Sequence, residues 1–151
     1  MKEYTQTLHV DAPPEKAFAA VVDPEIQQGR FMKVEVVKET AEGVGTTFNY
    51  YYKVFGKRLG GGTYSYSEYV PGRRFKWDFA GGGSETLLTG GPVASTWTFE
   101  PADGGTDVTV HPEFETRIPV LNDLARGIMM WSFRTRSAPK LIARVEKRAK
   151  S

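Results

Sequence analysis

The sequence predicts an α+β domain in which antiparallel strands pack against one long helix near the C-terminal end. Residues 8–18 have the pattern of a strand that runs into a short helix. Residues from about 121 to 149 carry apolar side chains at three- and four-residue spacing, which is typical of a helix. The stretch between them alternates apolar and polar residues and is broken by glycine and proline turns, as antiparallel strands are. If the sheet curves around the helix, an apolar cavity remains between them, so the pattern favours a binding function over a catalytic one.

Length and composition narrow the classes of protein further. The chain has 151 residues, a net charge of +2 and no cysteine, which fits one domain spanning residues 1–151. The absence of cysteine excludes disulfides, thiolate metal ligands and a thiol nucleophile, and it fits a reducing compartment. The small net charge does not indicate a nucleic-acid partner. Residues 1–6 lack the apolar core of a signal peptide, and no apolar run approaches the roughly 18 residues of a membrane span. We therefore expect a cytoplasmic protein without integral membrane association.

The first elements are a strand and one or two short helices. Leu8 and Val10 share one face of a strand at residues 4–10, and the two prolines that follow fit the first turn of a helix, where backbone amides have no intrahelical partner. Asp23-Pro24-Glu25 ends this helix and allows a second short helical turn. Six more strands are predicted, at residues 31–38, 46–55, 63–70, 73–79, 93–100 and 106–115.

Two glycine-rich segments interrupt these strands. Gly60-Gly61-Gly62 lacks the lysine and the serine or threonine of a phosphate-binding loop, and a strand rather than a helix is predicted after it. A flexible hairpin or a glycine-rich strand start is therefore favoured. Segment 80–92 predicts a mobile loop near the mouth of any pocket.

The last helix has an apolar stripe and a basic face. Pro139 lies within the stripe and is expected to kink the helix or to end its first half. The basic face and the tail fit either a solvated surface or weak contact with an acidic membrane surface. The stripe comprises Leu121, Leu124, Ile128, Trp131, Thr135, Ala138, Ile142 and Val145, and the basic set comprises Arg126, Arg134, Lys140, Arg144, Lys147, Arg148 and Lys150.

Aromatic side chains on strands that should be neighbours form the candidate ligand-binding set. A two-residue Pro71-Gly72 turn would place Tyr66 opposite Trp77 and Tyr64 opposite Phe79, so that these rings share one face. An ordinary core explains any one ring, but several inward hydroxyls need partners that a ligand or water would provide. The set comprises Phe48, Tyr50, Tyr52, Tyr64, Tyr66, Phe75, Trp77, Trp97 and Phe99, with Met129, Met130 and Phe133 from the helix.

Candidates for acid–base chemistry are few. Glu68 shares the parity of the inward tyrosines and would act as an acid or base inside an apolar pocket; the alternative is an ion pair with Arg73 or Arg74 at the rim. His9 and His111 lie out of phase with their apolar neighbours, so both are expected to face outward. We therefore expect no metal site, no serine–histidine–aspartate triad and no cofactor.

The order of these elements resembles the START-like helix-grip superfamily (SRPBCC), most closely its polyketide cyclase/dehydrase and lipid transport branch. The resemblance implies a seven-stranded curved antiparallel sheet wrapped around the long C-terminal helix, two short helices after strand 1, and an apolar cavity. Tyr69, the second catalytic candidate, stands where aromatase/cyclase members carry an arginine, which is a departure from their pattern, whereas Trp97 matches a pocket tryptophan of those enzymes. The residues that carry the resemblance lie in segments 10–18, 43–46, 68–75, 96–101 and 104–109.

Three functions follow from this reading. The first is binding of a hydrophobic small molecule, aromatic or lipid-like, between the sheet and the C-terminal helix. The second is a polyketide cyclase or dehydratase that uses the same cavity. The third is a protein-interaction module with a vestigial cavity, and in each case the chain is expected to be a monomer or a homodimer.

Overall fold

In the described residues, the fold consists of an antiparallel sheet and two helices with defined bounds, in agreement with the predicted α+β class. The computed structural model describes residues 2–24, 32–80, 91–115 and 138–149, together with the single residues 124, 127, 128, 130, 131 and 134. The strands are β1 (Lys2–Glu3), β2 (Gln6–Val10), β3 (Met32–Lys38), β4 (Thr47–Val54), β5 (Lys57–Val70), β6 (Arg74–Ala80), β7 (Gly91–Ala102) and β8 (Gly105–Glu115), and the helices are α1 (Pro14–Val22) and α2 (Ala138–Ala149).

The sheet has seven positions, as the resemblance implied. Strands β3 to β8 follow one another in chain order, and β1 and β2 both pair with β8. Because β1 and β2 contact successive parts of β8, they occupy a single position at this edge. All pairings are antiparallel, so short turns connect most neighbours.

One face of the sheet carries the core. Tyr64 and Tyr66 on β5 alternate with partly exposed neighbours, and Phe75 and Trp77 on β6 do the same. This two-residue period places large apolar side chains on one side of every central strand. The result is a contiguous buried cluster that also contains Leu8, Val10, Val34, Phe48, Tyr50, Trp97, Phe99, Val108 and Val110.

Helix α1 closes one part of this face. Its prolines precede or begin the first turn, and its apolar side buries Ala17, Phe18, Ala20 and Val21. The Phe18 ring packs edge-on against Phe75 and Phe99, at centroid distances of 5.7 and 5.2 Å. The buried Thr106 hydroxyl donates to the Ala12 carbonyl at 2.7 Å and fixes the start of the helix to β8.

Helix α2 is the described part of the predicted C-terminal helix. Ala138 and Val145 are buried, as their place in the stripe predicted. Pro139 lies in its first turn, where a missing amide costs nothing. The Glu146 carboxylate accepts a hydrogen bond from the Asp11 amide, and Arg148 pairs with Asp23 just after α1.

Several predictions fall on residues outside those described. The second short helical turn was predicted to start at Asp23-Pro24-Glu25, and the chain from residue 25 to residue 31 lies outside the described residues, as does most of the predicted helix upstream of residue 138. Leu124, Ile128 and Trp131 were assigned to the inward stripe, yet they are 61, 56 and 52% exposed. Proline cannot continue the helical hydrogen-bond pattern, so the phase of the stripe need not carry across Pro139.

Among the described residues, no helix has the length and apolar character that a membrane crossing requires.

The Gly60-Gly61-Gly62 run lies inside a strand. Strand β5 begins at Lys57 rather than at the predicted Thr63, and its register against β4 shifts between Tyr50 and Tyr52. This is the glycine-rich strand alternative, not a phosphate loop. At Gly62 a β-carbon would lie 3.0 Å from the Tyr50 hydroxyl, so a small residue lets that side chain approach the backbone.

Candidate ligand-binding site

The predicted aromatic residues meet on the inner face of the sheet. Tyr64 stacks on Phe48 at 5.0 Å and contacts Trp77 at 5.1 Å. Tyr66 contacts Trp77 at 6.1 Å, and the cross-strand pairs Tyr66–Trp77 and Tyr64–Phe79 match the prediction. The rings therefore form one continuous wall rather than isolated core positions.

Two of these aromatic residues, Phe75 and Trp97, are packed against other rings of the wall. Phe75 is 0% exposed and is surrounded by the rings of Phe18, Tyr66, Trp77 and Trp97. Trp97 stacks on Phe75 at 5.7 Å with an interplanar angle of 16°. A flat ligand cannot stack on the face of Trp97 that Phe75 already covers, so the contact between Phe75 and Trp97 is part of the packing of the wall.

The hydroxyl groups of Tyr64 and Tyr66 lie in an apolar setting. Both side chains are about 95% buried, and this burial raises the pKa of each well above its ordinary value. The neighbouring tyrosines raise the pKa of Tyr64 further, whereas the nearby Trp77 N–H lowers that of Tyr66 by a smaller amount. At neutral pH both groups are protonated, so they can donate hydrogen bonds but cannot act as bases.

Trp77 carries a buried hydrogen-bond donor without a well-aligned acceptor. Its Nε1–H lies beside the Tyr66 hydroxyl, and hydrogen bonding between them lowers the pKa of Tyr66, but no well-aligned acceptor for this N–H lies among the described residues. Because alignment decides the strength of a hydrogen bond, this N–H remains available to a better-placed acceptor. Trp97 differs, since its Nε1 donates to the Ser95 hydroxyl at 3.0 Å. A buried donor without an acceptor costs roughly 1–3 kcal/mol, which a ligand oxygen would recover.

A β-bulge exchanges the expected positions of Glu68 and Tyr69. Val70 pairs with Arg74, so the turn has three residues instead of two. The register then shifts between Tyr66 and Glu68, which restores the predicted Tyr66–Trp77 pair. Glu68 is consequently exposed and pairs with Arg74 at 2.8 Å, the ion-pair alternative, while Tyr69 turns inward against Phe18 at 5.3 Å.

Tyr66 and Tyr69 border a recess of about 290 Å³ between the end of α1 and the β3–β4 turn. Phe48 and Val36 also line it, and burial raises the pKa of the Tyr69 hydroxyl. Among the described residues that line the recess, Glu39 is the only carboxylate, and it is exposed. The volume is at the lower end of the roughly 300–1,000 Å³ that small-molecule pockets span.

The β3–β4 turn that forms one wall is tied to β5. The Gly45 amide donates to the Tyr66 carbonyl at 2.9 Å, and the Tyr66 amide donates to the Thr46 carbonyl at 3.1 Å. Gly43 has φ +86°, and a β-carbon there would lie 2.4 Å from the Tyr69 ring. Segment 43–46 was recognised from the sequence only by its resemblance to a family, and it was not predicted to be part of a site. The spacing of its two glycines was the available signal.

The structure describes only some of the remaining ligand-binding candidates. Met130 is half-buried, and its carbonyl accepts a hydrogen bond from the Gln6 side chain at 3.0 Å. The Gln6 Oε1 atom is buried and has no hydrogen-bond partner among the residues that the structure describes, a feature that was not predicted from the sequence. Met129, Phe133 and the side chain of Tyr52 lie outside what the structure describes.

Both histidines lie outside the aromatic wall. His9 is exposed and contacts Asp107 at 3.0 Å and Asp11 at 3.4 Å; its hydrogen bond to Asp107 is the main cause that raises its pKa. The ring nitrogens of His111 form hydrogen bonds with the side chains of Thr5 and Glu3. Within the described ranges, no group of three or more histidine, aspartate or glutamate side chains is placed to hold a metal ion.

Comparison with known proteins shows which family the chain matches. A family model described as polyketide cyclase/dehydrase and lipid transport matches residues 1–148. No curated protein matches the chain.

Similar solved structures support the same fold. A START superfamily protein from Mycobacterium smegmatis has a TM-score of 0.70 at 14% identity, covering 98% of this chain and 97% of that one. The Zhui aromatase/cyclase from a Streptomyces species has a TM-score of 0.68 at 17% identity, covering 99% and 93%. A protein from Chromobacterium violaceum has a TM-score of 0.68 at 22% identity, covering 95% and 96%. At these identities the likeness concerns the fold alone.

Proposed function

Because this chain belongs to the polyketide cyclase/dehydrase and lipid transport family, we propose that it binds a hydrophobic small molecule against the aromatic inner face of its sheet. The observation that carries the proposal is the Trp77 N–H, a buried donor with no well-aligned acceptor among the described residues. Native proteins satisfy the great majority of such donors. A ligand with a carbonyl, carboxylate or hydroxyl oxygen would accept this hydrogen bond.

The surroundings of the donor fix the chemistry of the ligand. Tyr66 lies beside Trp77 and stays protonated, so the two groups together favour an acceptor oxygen over a cation. The rings of Phe48 and Tyr64 supply apolar, flat surface next to them. We therefore infer an aromatic or lipid-like molecule that carries one oxygen-bearing polar end.

The expected affinity is moderate. Burying roughly 300 Å² of apolar ligand surface contributes about 7 kcal/mol at about 25 cal/mol per Å². Association offsets part of this gain, and the hydrogen bond to the indole adds about 1 kcal/mol. About 8 kcal/mol before the association cost corresponds to a dissociation constant near 1 μM, so the expected constant is weaker than that, from tens of micromolar to about 1 mM.

The experiment compares two tryptophan variants by isothermal titration calorimetry, with oleate and 1,8-dihydroxyanthraquinone as probes. Trp77→Phe removes the free donor and should weaken binding about fivefold or more. Trp97→Phe is the matched control, because its N–H already donates to Ser95, and it should change affinity less. Equal losses in both variants, or no binding of either probe by the wild-type protein, would contradict the proposal.

Cyclase or dehydratase chemistry is the second candidate function. The supporting observation is the pair of protonated hydroxyls, Tyr64 and Tyr66, on the same face as Trp77. Such groups stabilise charge that develops on a carbonyl oxygen. Under this alternative, Tyr66→Phe would lower turnover of a polyketide-like substrate while leaving its binding within about threefold, a split that a pure carrier does not produce.

A further inference from the structure

The hairpin that joins β4 to β5 exposes an aromatic residue at its tip. Phe55 is 100% exposed. Its backbone has φ +51°, a left-handed conformation that bulky residues rarely adopt. Gly56 follows at φ +77°, so these two residues form the kind of tight turn that normally favours Asn-Gly or Asp-Gly. Phe55 is therefore unfavourable for the turn and for solvation, which points to a role outside the isolated fold.

Three cations flank this tip. Lys53 lies directly opposite Arg58 across the strand pair, and like charges in that position destabilise a hairpin. Lys57 follows the turn, and the Arg58 guanidinium lies 4.2 Å above the Tyr51 ring. Residues 43–67 contain no aspartate or glutamate. Within the described part of the chain, the three cations form no ion pair, so an external anion would relieve their repulsion.

We propose that this charged hairpin, residues 53–58, docks on an anionic lipid surface with Phe55 inserted between the headgroups. Phe55 forms an apolar tip, and the cations lie about two strand residues from it, or about 7 Å at roughly 3.3 Å per residue. This order matches a bilayer interface, where an apolar side chain enters the acyl boundary and the cations remain at the headgroups. Each cation near an anionic surface contributes about a fivefold gain in partition.

Two other readings of the positive charge fit less well. Nucleic-acid binding draws its affinity from many phosphate contacts, whereas this hairpin supplies three cations in a chain of net charge +2. The basic face of α2 was the membrane-contact candidate from the sequence, but its Arg148 pairs with Asp23. The hairpin combines unpaired cations with an exposed aromatic tip, which favours a lipid surface.

The test is co-sedimentation with vesicles of phosphatidylcholine alone or with 30% phosphatidylserine. Wild-type protein should partition at least tenfold more strongly into the anionic vesicles, and less as salt is raised. Replacing Lys53, Lys57 and Arg58 with glutamine should lower that partition about 100-fold. Phe55→Asn should lower it about tenfold or more without lowering the melting temperature, because asparagine tolerates the left-handed conformation.

A matched control separates this hairpin from general charge. Lys16, Lys140 and Lys147 are exposed on the two helices, and their replacement by glutamine changes the net charge by the same amount. This variant should retain partition within about threefold. An equal loss in the control, equal partition into neutral vesicles, or binding to double-stranded DNA but not to anionic vesicles would each overturn the proposal.

Discussion

Replacing Gly43 with alanine should destabilise the protein far more than the same change at Gly104. Both glycines have positive φ, +86° and +78°, so each substitution carries the left-handed cost of about 1–2 kcal/mol. At Gly104 the new methyl group meets nothing within 4 Å. At Gly43 it lies 2.4 Å from two ring atoms of Tyr69, well inside the roughly 3.5 Å at which carbon atoms attract each other.

The Tyr69 ring cannot move away without disturbing the wall of the recess. It packs against Phe18 at 5.3 Å and against Tyr66 at 5.1 Å, both edge-on. Overpacking of this kind costs about 1–3 kcal/mol. The expected losses in free energy of unfolding are therefore about 2–5 kcal/mol for Gly43→Ala and about 1–2 kcal/mol for Gly104→Ala.

Urea denaturation followed by tryptophan fluorescence measures both losses. A double-mutant cycle with Tyr69→Ala isolates the clash, because without the ring Gly43→Ala should cost no more than Gly104→Ala. The cycle should therefore give a coupling energy of about 1–3 kcal/mol. Losses that agree within about 0.5 kcal/mol at the two glycines, or no coupling to Tyr69, would refute the packing described for the β3–β4 turn.

Three further predictions address the core, the tyrosines and the outer face. Thr106→Val should lower the free energy of unfolding by about 1–3 kcal/mol, measured by urea denaturation, because the buried Ala12 carbonyl loses its donor; an unchanged value would contradict this. The raised pKa values of Tyr64 and Tyr66 stabilise the fold fully below pH 10, the ordinary tyrosine pKa, and that stability is lost as pH rises above 10. In absorbance titrations at 295 nm, the Tyr→Phe variants should lose amplitude only in the step that accompanies unfolding, and a loss near pH 10 in the native protein would count against their burial. Glu68→Gln should leave calorimetric probe affinity within about twofold of wild type, since its carboxylate lies in an exposed ion pair on the outer face; a larger loss would place that carboxylate at the ligand.

The strands and their inward faces were predictable because a half-buried strand repeats every two residues. Phe75 and Trp77 alternate with polar neighbours, and both are buried as predicted. The Tyr66–Trp77 pair was predicted from a two-residue turn, yet it arises from a three-residue turn and a compensating bulge. The bulge is what places Tyr69 inward and Glu68 outward, and a period of two carries no information about it.

The residues around the recess were harder to predict. Gly43 acts through a close approach to Tyr69, a contact between the β3–β4 turn and strand β5. The unsatisfied Trp77 N–H depends on hydrogen-bond alignment, which differs from that of Trp97 although both are inward tryptophans. Neither feature follows from residue type or spacing, because each is decided by side-chain packing in three dimensions.

The most direct test of ligand binding is the indole N–H region of a nitrogen–proton correlation spectrum during titration with 1,8-dihydroxyanthraquinone. The chain has three tryptophans, and Trp77→Phe and Trp97→Phe assign two of the signals. We expect the Trp77 signal to move downfield and to exchange more slowly with solvent as the probe binds, while the Trp97 signal, whose N–H is already hydrogen-bonded to Ser95, moves little. Saturating binding that leaves the Trp77 signal unchanged would contradict the account.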